Sequence, residues 1–237
     1  MGIECFRGSE DDVIGRVCGA MRAFDVEIHA EFMGDNSIPD ARVIDHVIDT
    51  FLARQDSVDY VTNALKTTYP PGLEVSVYRS FNVFDAESKT IDGDIREYCG
   101  FHIYTHPERY RILNLEAPEH QRRPHLHLEV DTEEDFEVVA AVYRHFGDST
   151  SFTLDDVVSF AEETPSFCEE LTRRTTLEAV STGRGLGDVA GQRPAVTPRH
   201  CILELCSDRN QDVFATIRPR QVGCRRECLL VSSGAGG

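Results

Sequence analysis

An alternating, β-rich stretch from Val26 to Phe32 stops abruptly at Gly34-Asp35-Asn36, and Val43, Ile44, Val47, Ile48, Phe51 and Leu52 then recur at helical spacing. This change of hydrophobic period from two to about 3.6 constrains the fold more than any other feature, because it lays strand, loop and helix end to end. Further elements follow the same logic. Asp59–Asn63 reads as a strand, Tyr69-Pro70-Pro71-Gly72 as a turn and Leu73–Tyr78 as another strand. Asp94–Thr105 reads as helical, and Tyr110–Leu115 and Leu126–Val130 as extended. Upstream, Ile3–Phe6 reads as a short strand, and Ser9 caps the amide of Asp12 at the head of a helix that buries Val13, Ile14, Val17, Cys18, Met21 and Phe24. Asp131-Thr132-Glu133-Glu134-Asp135 opens another helix with Phe136, Val139, Ala140, Tyr143 and Phe146 on one face and Gly147 just past its end. Helices are also expected over Leu154–Glu162 and Ser166–Arg173. Strands alternating with helices imply an α/β fold with a mostly parallel sheet covered on both faces.

With 237 residues, the chain is long enough for one domain and an extension. The texture changes near residue 175: residues 176–237 carry about +2, against −19 for everything before them. The expected division is an α/β domain over 1–174 and an irregular or disordered extension over 175–237. The overall charge of −17 disfavours nucleic acid and anionic membrane as partners, since both require clustered Lys and Arg. No apolar run approaches the roughly 20 residues that span a bilayer, and the first residues lack the pattern of a signal peptide, so a cytoplasmic location is expected. The eight cysteines are scattered and mostly in apolar contexts, which suits buried or free thiols better than a disulfide framework.

Open α/β sheets bind ligands at the carboxyl ends of their strands, which is where Gly34-Asp35-Asn36 emerges. Asp131 also follows an extended stretch, immediately before a helix. Two carboxylates delivered this way can share one hard divalent cation, and Mg²⁺ so held would bridge the phosphate oxygens of a nucleotide. The competing reading makes Asp131 a helix N-cap or first-turn acid and Asp35 a turn residue. His125, His127 and Glu129 fall on one face of an extended stretch with His120 nearby, a composition a zinc ion could use, although spacing fixes no fourth ligand. Cys201 with Cys206 and Cys224 with Cys228 fit no zinc-ribbon spacing. There is neither a Gly-x-Ser-x-Gly elbow nor a Walker-type loop.

Several motifs, taken in chain order, carry a family resemblance. They are Phe6-Arg7-Gly8-Ser9, Gly34-Asp35-Asn36 with Pro39-Asp40, Asp59-Tyr60-Val61-Thr62-Asn63, Tyr69-Pro70-Pro71-Gly72-Leu73-Glu74-Val75, Arg96-Glu97, His106-Pro107-Glu108-Arg109-Tyr110 and Val130-Asp131-Thr132-Glu133-Glu134-Asp135. Together they resemble the spore coat polysaccharide and acylneuraminate cytidylyltransferases, close to the enzymes that activate 3-deoxy-manno-octulosonate. The resemblance implies a Rossmann-like nucleotide-diphospho-sugar transferase sheet. It also implies attack by a hydroxyl of an acidic sugar on the α-phosphate of CTP, with release of pyrophosphate. Mg²⁺ would be held by Asp35 and Asp131, and Asn36, Asn63 and Glu97 would line the sugar side. A homodimer is a further implied partner.

The family's Gln-Ala-Arg-x-Gly-Ser loop has no counterpart ahead of Ile3, so the expected sheet lacks its first strand and nucleotide loop, leaving an edge prone to aggregation or oligomerisation. Arg96-Glu97-Tyr98 stands for the family's Arg-Glu-His, and His125 and His127 for its Asp and Arg. Three functions are therefore carried forward: CMP transfer, a non-catalytic sugar-binding or assembly remnant of the same family, and a zinc module on His125 and His127.

Overall fold

The computed structural model describes residues 5–9, 11–91, 96, 99–147, 151–165 and 167, together with the backbone of 216–217. The strands are β1 (Ile28–Phe32), β2 (Tyr60–Thr62), β3 (Val75–Arg79), β4 (Ile112–Asn114) and β5 (Thr216–Ile217), in the spatial order β4-β2-β3-β1-β5. The helices are α1 (Val13–Ala23), α2 (Ala41–Arg54), α3 (Ser80–Lys89), α4 (Phe101–Thr105), α5 (Glu133–Phe146) and α6 (Leu154–Glu163), with one 3₁₀ turn at Glu119–Gln121.

The α/β class agrees with the sequence, but the sheet is not mostly parallel. β3 pairs antiparallel with both β1 and β2, β5 pairs antiparallel with β1, and only β2 with β4 is parallel. The physical reason lies in the connections. Helix α2 does carry the chain between two strands of the same direction, β1 and β2, as a crossover should. The irregular stretch 63–74 then returns the chain without a crossover helix, so β3 inserts between β1 and β2 running the other way.

The two faces of this sheet differ in chemistry. Ile28, Ala30, Val61, Val75 and Val77 form a purely apolar face that packs on Ile44, Val47, Ile48 and Phe51 of α2. The other face carries Tyr60 and Tyr78, which pack with Val13, Ile14, Val17 and Cys18 of α1, Val83 and Ala86 of α3, and Ile103 of α4. Polar groups run through that second face. The Tyr78 hydroxyl donates to Glu31 Oε2 at 2.7 Å, Tyr60 and Ser76 share a hydroxyl–hydroxyl bond of 2.7 Å, and Thr62 reaches Ser76 at 2.9 Å. Buried His29 stacks obliquely on Tyr78, ring centroids 5.2 Å apart. A third cluster joins Leu126 and Leu128 to Val139 and Val142 of α5 and to Leu154, Val157 and Val158 of α6.

Local chemistry sets the helix ends. Ser9 Oγ accepts from the Asp12 amide at 3.1 Å, but the helix cap itself is Asp12, whose carboxylate takes the Gly15 N–H at 3.0 Å. Asp40 caps α2 through Arg42 N at 2.8 Å and also accepts from Leu154 N at 2.8 Å, so one buried carboxylate ties the heads of α2 and α6 together. α5 and α6 both start with capping boxes, Thr132 with Asp135 and Thr153 with Asp156.

Several expectations need correction. Cys5 and Phe6 are not in a strand, and residues 3 and 4 lie outside the described residues. Leu126–Val130, expected to be extended, forms no strand and belongs to no ladder. In α5 the buried positions are Val139 and Val142, whereas Phe136 is 57% exposed, because the helix packs through its Val139–Val142 stripe. Within the helix expected over Asp94–Thr105, Arg96 is helical and Phe101–Thr105 forms a helix after a turn at Cys99-Gly100, while residues 94, 95, 97 and 98 lie outside the described residues. Helix α3 was not legible: no side chain caps its start, and it buries Ser80 and Asn82 beside Val83 and Ala86, which blurs the apolar period. The expected helix over Ser166–Arg173 lies outside the described residues except for Phe167.

His29 supplies a measurable consequence of burying polar groups in the sheet. Burial lowers its imidazole from 6.5 to about 4, so it is neutral in the native state at neutral pH. The unfolded chain takes up a proton below about 6.5 that the native chain refuses until about 4, so His29 costs stability as pH falls through that window. Relative to wild type, His29→Gln should therefore gain on the order of 3 kcal/mol between pH 7 and pH 4. Denaturant melts at four pH values test this, and a wild-type-to-variant difference that stays flat would refute the burial argument.

Candidate active site

Three chain segments meet beyond the end of β1. The first is the turn after β1, in which Asn36 N donates to Met33 O at 3.3 Å and Ser37 N to Asp35 O at 2.8 Å. The second is the entry to β3, where Gly72 N donates to Glu74 Oε2 at 2.8 Å. The third is the run 126–130, which spans the other two: Leu128 N donates to Pro71 O at 2.8 Å and Val130 N to Asp35 O at 3.1 Å. Leu126 and Leu128 turn into the core. Alternation then sends His125, His127 and Glu129 the other way. Asp131 follows directly, one residue ahead of the α5 cap.

Asp35 and Asp131 thus come from chain segments joined by a backbone hydrogen bond. Asp35 lies in the turn, as the competing reading has it, but the turn's hydrogen bonds are made by backbone groups, and Asp35 Oδ1 is buried with no hydrogen-bond partner among the described residues. Asp131 is not the helix cap, a role filled by Thr132 and Asp135. Burial pushes the Asp35 carboxyl from 3.8 up to about 6, and the nearby charges of Asp131 and Glu129 push it further in the same direction. Glu74 rises to about 7, first through burial and then through Glu129 and Asp35.

Asn36 and Asn63 hold this cluster in place. Asn36 Nδ2 donates to Glu74 O at 3.2 Å. Asn63 is 3% exposed, and both ends of its amide are engaged: Nδ2 donates to Leu73 O at 2.9 Å and Oδ1 accepts from Val75 N at 2.7 Å. Both side chains clamp the backbone flanking Glu74. Glu97 lies outside the described residues.

Glu74 and Glu31 are polar groups of this region that sequence reasoning did not single out as site residues. The signal was present in the alternation Glu74, Ser76, Tyr78, which sets three polar groups on one face of a strand whose other face is Val75 and Val77. For the zinc reading, His127 Nδ1 lies 3.5 Å from Glu129 Oε1. Among the described residues, no group of three or more His, Cys, Asp or Glu side chains is arranged to hold a metal ion unaided.

That last fact bears on which cation the acids suit. Zinc in a protein cage needs three or four side-chain ligands, whereas Mg²⁺ keeps several waters and takes one or two carboxylates plus substrate phosphates. Paired oxygen donors, one of them a buried carboxylate oxygen lacking any donor, fit Mg²⁺ and not a closed zinc site.

Oxygen donors gathered beyond a strand end occupy the place where open α/β sheets bind ligands. Comparison with known proteins gives the following relatives. The chain is 27% identical over 170 residues to the spore coat polysaccharide biosynthesis protein SpsF of Bacillus subtilis, covering 71% of this chain and 69% of SpsF. It is 26% identical over 165 residues to the uncharacterized protein MJ1063 of Methanocaldococcus jannaschii, covering 70% of this chain and 65% of that protein. Its fold matches the structure of a cytidylyltransferase from Leptospira borgpetersenii with a TM-score of 0.67 at 22% identity, over 72% of this chain and 69% of the other. No protein-family model matches the chain. The chain is thus similar in sequence to SpsF and has the fold of a cytidylyltransferase. No helix among the described residues is long and apolar enough to cross a membrane.

Proposed function

We propose that the chain is a nucleotidyltransferase-type protein that transfers CMP from CTP to an acidic sugar, with Asp35 and Asp131 as the Mg²⁺ ligands. The observation that carries this reading is Asp35 itself: a buried carboxylate with an oxygen lacking any donor, held beside Asp131 in a field of acids. Such a site destabilises its own charge and is relieved by a cation. When bound, the cation would offset phosphate charge and help orient the triphosphate.

In the reaction the sugar hydroxyl oxygen forms a bond to the α-phosphorus of CTP, the bond from that phosphorus to the bridging oxygen of pyrophosphate breaks, and the hydroxyl proton leaves to solvent or a base. The residues of the chain act mainly by position. The bond from Val130 N to Asp35 O fixes the two metal-binding segments relative to each other. Asn36 and Asn63 fix the backbone around Glu74, and the acid cluster repels a bare polyphosphate, so nucleotide entry depends on the cation.

The test is pyrophosphate release by the purified chain with CTP and 3-deoxy-manno-octulosonate or N-acetylneuraminate, with and without MgCl₂, alongside calorimetry with CTP. The expected result is CTP binding that requires Mg²⁺ and is removed by EDTA. Absence of CTP binding in the presence of Mg²⁺ would overturn the reading in favour of a non-catalytic remnant.

A further inference from the structure

Helix α5 touches the acid site twice. Asp131 leads into its first turn, and late in the helix the Tyr143 hydroxyl donates to Ser37 O at 2.7 Å. Ser37 lies in the turn that carries Asp35: its N–H donates to Asp35 O at 2.8 Å, and its hydroxyl reaches the same oxygen at 3.4 Å. Asp35 O also accepts from Val130 N at 3.1 Å. These contacts close a ring. From Asp131 the path follows α5 to Tyr143, crosses to Ser37, returns through Asn36 to Asp35 and crosses back to Val130, the neighbour of Asp131. One crossing is made by backbone groups alone, while the other depends on a single hydroxyl.

That hydroxyl is held in place by its ring. Phe152 lies edge-on to Tyr143 with ring centroids 5.3 Å apart, and Phe152 is stacked in turn on Phe146 at 4.7 Å. The phenol is therefore oriented before it bonds, with an apolar body against aromatic neighbours and a polar tip on the loop. Anchoring the loop as such does not require it. Asn36 N already bonds Met33 O, Asn36 Nδ2 bonds Glu74 O, and Ile38 is buried in the core. What those anchors leave open is the position of the Asp35 loop relative to the helix that follows Asp131. The charges of the two aspartates oppose each other, so a loosened ring lets them separate. A cation then meets the paired arrangement only part of the time, and its apparent affinity falls by that fraction.

We propose that Tyr143 is a positioning residue of the acid site, whose hydrogen bond to Ser37 ties the Asp35 loop to α5 and sets the spacing of the two carboxylates for one divalent cation. This rests on the reading of Asp35 and Asp131 as Mg²⁺ ligands. Sequence gave no sign of it, because Tyr143 falls among the apolar positions of the helix.

The test is thermal melting of the full chain across a MgCl₂ series, scored as the concentration that gives half of the Mg²⁺-induced shift. Tyr143→Phe keeps the ring on Phe152 and deletes only the hydroxyl. It should raise that concentration about fivefold while lowering the metal-free midpoint by no more than about 3 °C. Ser88→Ala removes a comparable hydroxyl-to-carbonyl bond on α3, from Ser88 Oγ to Asp85 O at 2.8 Å, and should leave the Mg²⁺ response unchanged. Wild-type Mg²⁺ response in Tyr143→Phe, beside a defective Asp35→Asn, would overturn this proposal alone. So would an equal weakening in Ser88→Ala, which would make the effect one of general stability. A full Mg²⁺ response in Asp35→Asn would instead remove the reading of the two acids, and this proposal with it.

Discussion

Asp35→Asn is expected to abolish Mg²⁺-dependent pyrophosphate release, by at least ~100-fold, while making the metal-free chain more stable. The two effects have one cause. Folding raises the Asp35 carboxyl from 3.8 to about 6, through burial and then through Asp131 and Glu129, so at pH 7.5 the ionised side chain favours the unfolded state. The linkage sign follows: relative stability is full below about pH 4 and is lost as pH rises through about 6. An amide of the same shape carries no charge, and metal-free Asp35→Asn should gain roughly 1–3 kcal/mol at pH 7.5. Adding MgCl₂ reverses the order, because a ligand that binds only the native state stabilises it by mass action, and the variant has lost a ligand. Thermal melts of both proteins at pH 7.5, with and without 10-fold steps of MgCl₂, separate the two contributions. A metal-free variant less stable than wild type, or one that keeps the full Mg²⁺ shift, would sink the assignment of Asp35. The same melts distinguish a site tuned for a cation from a carboxylate kept for structural reasons, for which removal costs stability.

Much of this site was legible in the sequence, and the parts that were not share a cause. Period-switching after Phe32 located the Asp35 loop, and the Thr132–Asp135 capping box located the start of α5 and with it Asp131. Each of those signals is local: a turn or a cap is decided by neighbouring residues. What escaped was set by tertiary contacts. β3 runs antiparallel between two parallel strands because the loop 63–74 is held by Asn63, whose partners Leu73 and Val75 lie ten and twelve residues away, and no periodicity encodes that return. Leu126–Val130 has a strand's alternation of burial, yet it bridges two loops instead of joining the ladder. Glu74 looked like an ordinary polar position in a strand, and only the convergence of Asp35 and Glu129 on it makes it part of the cluster. Helix α3 was hidden by the buried polar residues Ser80 and Asn82, the latter donating from Nδ2 to Asp59 O at 3.1 Å. Asn63 is instructive in the opposite sense, because a residue that the resemblance places on the sugar side spends its amide on the backbone that shapes the site.

Gly72→Ala is expected to dismantle the site without touching a single acidic side chain. Gly72 has φ +99°, a conformation L residues rarely adopt, and a Cβ there would lie 2.6 Å from Glu129 N, 2.6 Å from Leu128 C and 2.9 Å from Leu128 O. All three are backbone atoms, so no rotamer change relieves the clash; the Leu128–Val130 run has to move. Moving it strains the bonds from Leu128 N to Pro71 O and from Val130 N to Asp35 O and lifts fully buried Leu128 out of its packing. Conformational strain and lost packing together should cost about 2–5 kcal/mol, or roughly 5–15 °C in midpoint for a domain of this size. Gly147→Ala is the internal control. It also has a positive φ, of 63°, but a Cβ there meets nothing within 4 Å, so it incurs the backbone strain alone. The difference between the two variants isolates the backbone clash, expected at about 1–3 kcal/mol. Only Gly72→Ala should also erase the Mg²⁺-induced thermal shift, because only that change parts Asp131 from Asp35. Equal costs for the two glycines, or a Mg²⁺ shift that survives in Gly72→Ala, would mean that the 126–130 run does not hold the two aspartates together.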